Sequence, residues 1–278
     1  MGDAPRHTNT HKVMRALFDE ILIDIDHGQL DERLAGKAFT ALLNGQEPFS
    51  GAPELLRDNT PRWYMSLEDQ IRLVRQLAKK YHWPLERQLS APIAIPYAMK
   101  TQSPTEVLML NVNLPGRVRR PAAAHTVEAL LGPMSTRLPH VDNVRLSRLL
   151  EPYDSTFRMQ SRLAVPGTLE WVAFDYAAYE GQPLETVRTW AASDGRTLAG
   201  TEVMMAMLLF PEWVESLIAT PDTVHLQLGG LTYDGRGSSI MPVLRRLANG
   251  RRELRFEPLR GSDLPLAPNV STPTVRRF

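Results

Sequence analysis

A chain of 278 residues has room for one large domain or two of ordinary size, and 43% hydrophobic with 23% charged residues is a globular composition rather than a disordered one. The net charge is only +1, so no global field draws in a polyanion. The absence of cysteine excludes disulfides, thiolate nucleophiles, zinc ribbons and cysteine-held iron–sulfur clusters. The basic residues are uneven, with 27 Arg and 5 Lys among 32.

The first residues, MGDAPRHTNTHK, lack the apolar core of a signal peptide, and Arg6 stands where a myristoylation signal needs Ser or Thr. The longest unbroken apolar run, Val203 to Phe210, falls far short of the ~20 residues that span a bilayer. The expectation is a soluble, cytoplasmic protein with no membrane partner.

Residues 1–100 read as a helical N-terminal segment. Val13, Leu17, Ile21 and Ile25, with Met14, Phe18 and Leu22 beside them, form an apolar stripe that Gly28 stops. A second helix is expected over Asp31 to Leu43. Ser66 caps a third, with Asp69 three residues on, and Ile71, Val74, Leu77, Ala78 and Tyr81 supply its buried face before Pro84. Leu89 to Pro104 carries three prolines and reads as a linker or an extended strand.

Residues 101–257 change to an α+β pattern. Glu106 to Val112 is a strand; Thr156 to Leu163 and Leu169 to Tyr176 read as a hairpin about Pro166-Gly167. Helices follow at Leu184–Ala191, Leu198–Leu209 and Pro211–Ile218. In the second of these, Val203, Met204, Met207 and Leu208 recur at helical spacing, and this face is expected to pack on Leu169–Phe174 and Val224–Leu228. Strands at Val224–Leu231, Ile240–Leu247 and Glu253–Phe256 complete the unit, the last two joined by a turn at Asn249-Gly250. Residues 258–278 hold four prolines and no period, and are expected to be an extended or disordered tail.

The order of LEWVAFDY, LAGTEVMMAMLLFPEW, a strand with Gly-Gly, and VLRRLANGRRELRF resembles a recurrent C-terminal pattern of uncharacterised bacterial proteins. It covers about residues 171–256, and its anchors are Glu202, Pro211, Trp213 and Gly229-Gly230. The resemblance implies a shared fold unit and carries no activity, cofactor or catalytic residue with it.

Chemistry is thinly marked. His7 and His11 stand four apart but precede the first helix, with no third ligand near. Asp24, Asp26, His27, Asp31 and Glu32 gather at a helix end, yet Asp24 and Asp26 point in different directions. His125 with Glu128, and His140 with Asp142, do not make the two-His, one-Glu helix of a zinc protease, and no Ser sits in a Gly-flanked elbow. DGRGSS, Asp234 to Ser239, is Gly-rich but strand-flanked, which suits a hairpin turn. Glu202 falls inside an apolar helix; if buried, it needs a partner such as an Arg at the core edge. No catalytic, cofactor-binding or metal-binding residue is assigned.

The strongest functional signal is basic. Nine Arg against three carboxylates from Arg236 onward leave a local excess of +6. Arg236, Arg245, Arg246, Arg251, Arg252 and Arg255 are therefore the candidate contacts for a nucleic acid or another anion. Only Phe256 and Phe278 supply aromatic faces there, too few for a base-stacking platform. Alternation also sets Glu253 between Arg251 and Arg255, where it offsets their charge. The sequence thus points to an α+β fold, a helical segment packed on a mixed, largely antiparallel sheet with helices. Its first functional reading is a non-enzymatic intracellular interaction or scaffold protein whose partner is another protein. The alternative is nucleic-acid binding through the Arg-rich region, and the third is a hydrolase-type enzyme with catalytic residues scattered in sequence.

Overall fold

The computed structural model describes residues 61–95, 103–115, 122–142, 158–160, 167–177, 179–217, 224–235, 238–258 and 270–277. The two helices expected before residue 45 lie outside them. Residues 61–94 pack in one unit with the strands that follow residue 103, so the expected boundary at residue 100 does not separate the third helix from the sheet.

That helix, α1 (Leu67–Tyr81), starts as its sequence dictates. The Ser66 hydroxyl accepts the Asp69 amide at 3.2 Å and donates to the Asp69 carboxylate at 2.8 Å. It stops before Pro84, because His82 turns left-handed (φ 53°) and Trp83 N–H reaches back to Ala78 O at 2.9 Å. A short helix α2 (Glu86–Ser90) follows within the proline-punctuated stretch.

Strand β1 (Glu106–Asn113) is buried along its whole length. After α3 (Ala122–Arg137), β2 (Val141–Asp142) and β3 (Arg158–Gln160) comes β4 (Thr168–Asp175). The chain continues through α4 (Leu184–Ser193), β5 (Thr197–Leu198), α5 (Thr201–Leu209) and α6 (Pro211–Ser216). Strands β6 (Val224–Gln227), β7 (Thr232–Gly235), β8 (Ser238–Arg246), β9 (Arg252–Pro258) and β10 (Thr274–Arg277) end it.

Two sheets result, and the fold is α+β. The first has the order β1-β4-β10-β5, antiparallel throughout. The second runs β2-β9-β8-β7-β3, with β6 also on β8, and only its β2–β9 pair is parallel. Among the described residues the expected hairpin about Pro166-Gly167 is not formed: β3 pairs with β7 rather than with β4, which has β1 along one edge and β10 over Val172–Asp175 on the other. The β8–β9 turn at Asn249-Gly250 does form, with Gly250 at φ 81°.

The free edge of β1 is closed by side chains. The Gln70 amide donates to Leu108 O at 3.3 Å and accepts Leu110 N–H at 2.9 Å, as a neighbouring strand would. Tyr64 OH adds a second donor to Leu108 O, at 2.9 Å. Helix α5 is buried on all sides and packs chiefly on α3 and β1, rather than on the two strands expected for it. A helix apolar all round has no side that its periodicity can single out.

Expected as a loose tail, the last segment is instead core. Val270, Ser271, Thr272, Thr274 and Val275 are all buried. Ser271 bridges to β6, taking a hydrogen bond from Gln227 N–H at 2.9 Å and giving one to His225 O at 2.8 Å, before β10 enters the first sheet. One short stretch therefore joins the two sheets. Beside it, Gly230 donates to Ala199 O at 2.9 Å, and a Cβ on Gly230 would lie 2.5 Å from Leu198 O. No helix among the described residues is long and apolar enough to cross a membrane.

Replacing Leu208, which has no exposed surface, with Ala should cost about 2–5 kcal/mol in denaturant unfolding. Gly230→Ala pushes a methyl into fixed backbone rather than into a movable side chain, and should cost at least about 1–3 kcal/mol. A near-neutral result for either would show that α5, or the Gly229-Gly230 crossing, is packed differently.

Candidate functional site

Pairing of β8 with β9 sorts four of the six candidate arginines by face. The register sets Arg245 opposite Glu253, Val243 opposite Arg255 and Met241 opposite Glu257, so arginines and carboxylates interleave on one face. There Arg245 lies 3.0 Å from Glu257, and Arg255 lies 2.6 Å from Glu257 and 3.4 Å from Glu253. Burial pushes the Glu257 carboxyl up, but the hydrogen bonds and charges of Arg255 and Arg245 outweigh it and hold Glu257 below the usual carboxylate range. Arg251, exposed at the turn, stands 3.9 Å from Asp142. Arg236 lies outside the described residues.

The opposite face gathers positive charge. Arg246 and Arg252 are direct cross-strand partners. Arg252 is half-buried: one guanidinium nitrogen donates to Glu215 O at 3.1 Å, and its Nε is buried with no acceptor. Desolvation, then the Arg246 charge, lowers its pKa, against a smaller upward pull from Glu215. On the other side of β8 the ladder slips between Val224 and Leu226, leaving His225 as the extra residue of a bulge. His225 is 1% exposed, and neither ring nitrogen has a partner. Burial first, then the charges of Arg252 and Arg246, drive its pKa down to about 4, so the ring is neutral at pH 7. His140, just before β2, receives the Arg252 amide on its carbonyl at 3.4 Å, and its Nδ1 lies 4.0 Å from the Glu215 carboxylate.

The remaining buried charges are spent on one another. Glu202, 3% exposed, accepts Gly200 N–H at 2.8 Å and pairs with Arg277 at 2.5 Å, so the inferred Arg at the core edge is present. Arg277 also reaches Glu170 at 3.4 Å, which in turn accepts from Asn111 and Asn113. On the other face of the same sheet, Arg196 sits 2.9 Å from Glu106 and 3.4 Å from Asp175, while Arg276 lies 3.5 Å from Glu106. Sequence reasoning passed over Glu106, Asp175 and Arg196. Their signal was a carboxylate at the start of β1 and another at the end of β4, which face each other across the β1–β4 ladder.

Other candidates are not assembled. His125 is buried and its Nδ1 donates to Pro115 O at 2.5 Å, while Glu128 is exposed one turn on. No three His, Asp or Glu side chains among the described residues are grouped to hold a metal ion. His7, His11 and the acidic group at Asp24–Glu32 fall outside those residues. The surface does offer one large apolar side chain among the described residues, Trp190 on α4, 46% exposed. Its ring lies 6.1 Å from that of Tyr179, whose hydroxyl donates to Asp194 at 2.6 Å.

Compared with protein-family models, curated proteins and solved structures, the chain matches none.

The depressed pKa of His225 has a measurable sign. Between about pH 6.5 and 4 the unfolded chain binds a proton at His225 that the folded chain does not, so stability falls as pH drops through that window. His225→Gln should flatten the pH dependence of unfolding free energy there, by up to about 1.4 kcal/mol per pH unit. Identical slopes for the two proteins, in urea titrations at several pH values, would show that His225 is not held neutral.

Proposed function

We propose that this chain is a non-enzymatic interaction module of the bacterial cytoplasm, with another protein as its partner. The observation that carries the reading is Trp190, a large apolar side chain left open to solvent beside Tyr179 while the interior charges are paired internally. Trp, Tyr and Arg dominate the energetic centres of protein interfaces, and Arg188 stands on the same short helix. The favoured partner presents an apolar pocket for the indole. Arg188 is already engaged by Glu185 at 2.5 Å, which makes it a rim group rather than an anchor.

A photo-crosslinking amino acid placed at position 190 tests this in the native cell. It should trap one discrete protein partner, whereas the same group at the exposed Lys79 should not. Equal labelling from both positions, or none from position 190, would remove the reading.

The second reading, contact with a nucleic-acid backbone, is favoured by the Arg246–Arg252 pairing alone. Arg245, Arg251 and Arg255 already face carboxylates, so about two phosphates is the most that the five described candidate arginines can engage. Fluorescence anisotropy should show weak, sequence-independent binding with a log–log salt slope no steeper than about 1.8 on duplex DNA or about 1.4 on single strands. Tight binding at near-physiological salt that disappears when Arg251 and Arg255 become Glu would reverse the order of the two readings.

A further inference from the structure

Helix α4 ends on an acid where helix chemistry favours a base. Its last turn holds no basic residue, and Asp194 stands at the C-cap, the end where the helix dipole is already negative. Asp194 N–H still donates to Trp190 O at 3.0 Å, so the two side chains leave the helix one turn apart on the same side. Tyr179 joins them from the turn before the helix. Its hydroxyl donates to Asp194 Oδ2 at 2.6 Å, and its ring lies 6.1 Å from the Trp190 ring, tilted at 41°. An indole, a phenol and a carboxylate thus share one corner, with Trp190 and Asp194 both exposed.

The charge of that corner is not answered from within the chain. Burial first, then the hydrogen bond and charge of Asp194, raise the Tyr179 pKa to about 12, so the phenol stays neutral and the negative charge stays on Asp194. The second carboxylate oxygen, Oδ1, accepts no hydrogen bond among the described residues. The arginines on either side in sequence are engaged elsewhere. Arg188 holds Glu185 at 2.5 Å, and Arg196 is turned inward on Glu106 and Asp175. From Tyr179 to Asp194 the chain carries Glu180, Glu185 and Asp194 against Arg188 alone. Aromatic faces add the negative side of their quadrupole. One carboxylate supplies too few oxygens for a bare metal ion, whereas a guanidinium can lie flat on the indole and donate in its own plane to Oδ1.

We propose that the corner formed by Trp190, Tyr179 and Asp194 receives a basic side chain of the partner protein, arginine in preference to lysine. This deepens the interaction-module reading and rests on it. The partner's apolar pocket takes the indole edge, and an arginine on the rim of that pocket covers the indole face and pairs with Asp194 Oδ1. The corner then selects by charge, because a partner with an acidic rim is repelled by Asp194.

N-acetyl-arginine methylamide is the probe, titrated beside its neutral analogue N-acetyl-norleucine methylamide at equal ionic strength. The Trp190 indole N–H signal, identified by its loss in Trp190→Phe, is followed by NMR. The arginine probe should shift that signal saturably, and the norleucine probe should bind at least about threefold more weakly. Asp194→Asn keeps an acceptor for the Tyr179 hydroxyl and removes the charge. It should weaken the arginine probe about three- to fivefold, the size expected of an exposed ion pair. Glu86→Gln, exposed on α2, should bind as the parent does. In the native cell, a photo-crosslinking amino acid at the exposed Ser193 leaves Trp190 intact. It should join a partner segment that contains Arg or Lys, and in lower yield in the Asp194→Asn variant. Equal binding of the two probes, an Asp194→Asn variant that binds as the parent does, or attachment to a segment without basic residues overturns this inference and leaves the docking role of Trp190 standing. Attachment to no protein from either position 190 or position 193 removes the docking role and this inference with it.

Discussion

Adjacent guanidiniums on opposite faces of one strand hold the first sheet together electrostatically. Arg276 reaches Glu106 on one side of β10, and Arg277 reaches Glu202 and Glu170 on the other. Glu106, Asp175 and Glu202 are each buried to within a few per cent, positions where an unpaired carboxylate is costly. Removing one partner of a buried pair typically destabilises by about 3–5 kcal/mol, because the other charge stays desolvated. Alternation along a strand makes this clamp possible, since neighbouring side chains must emerge on opposite faces. β10 also supplies the backbone ladder to β4 and β5, so the same four residues provide both the hydrogen bonds and the countercharges.

The second sheet treats its charges differently on its two faces. On one, Arg and Glu interleave beside an apolar cluster in which Leu184 packs with Met241 and Val243. On the other, Arg246 and Arg252 face each other above a neutral histidine. The difference arises from register alone: Glu253 and Glu257 share one alternation phase, and Arg252, Leu254 and Phe256 the other. In the N-terminal half of the described chain, Gln70 and Thr126 close the edge and the end of β1.

Local rules were legible in the sequence. The Ser66 cap, the β8–β9 hairpin at Asn249-Gly250 and the pairing of Glu253 with Arg255 all follow from spacings of a few residues, whereas Arg251 stays in the turn beside Asp142. What was not legible is non-local. β10 lies among prolines, with a four-residue strand too short to show a period, and its place is set by β4, about a hundred residues earlier. The hairpin about Pro166-Gly167 failed for the same reason, since periodicity shows that a segment is a strand and not which edge it takes. Glu202 could be flagged as needing a partner, whereas naming Arg277 required the fold. His225 lies in the strand expected over Val224–Leu231, where a bulge leaves no mark in the pattern.

The strand that completes the first sheet emerges from the ribosome after every other described element. Until it does, β4 presents an open edge along the positions that β10 will cover, and the carboxylate of Glu202 awaits the Arg277 guanidinium that comes with it. Synthesis therefore imposes an order on folding. The helices and the β8–β9 hairpin can form early from local contacts, while closure of the first sheet waits for a contact of very long sequence separation. During that interval the nascent chain carries an unpaired sheet edge, which any other extended segment can occupy. A chain stalled or cleaved shortly before residue 274 would keep its second sheet's β8–β9 pairing, yet remain an adhesive species.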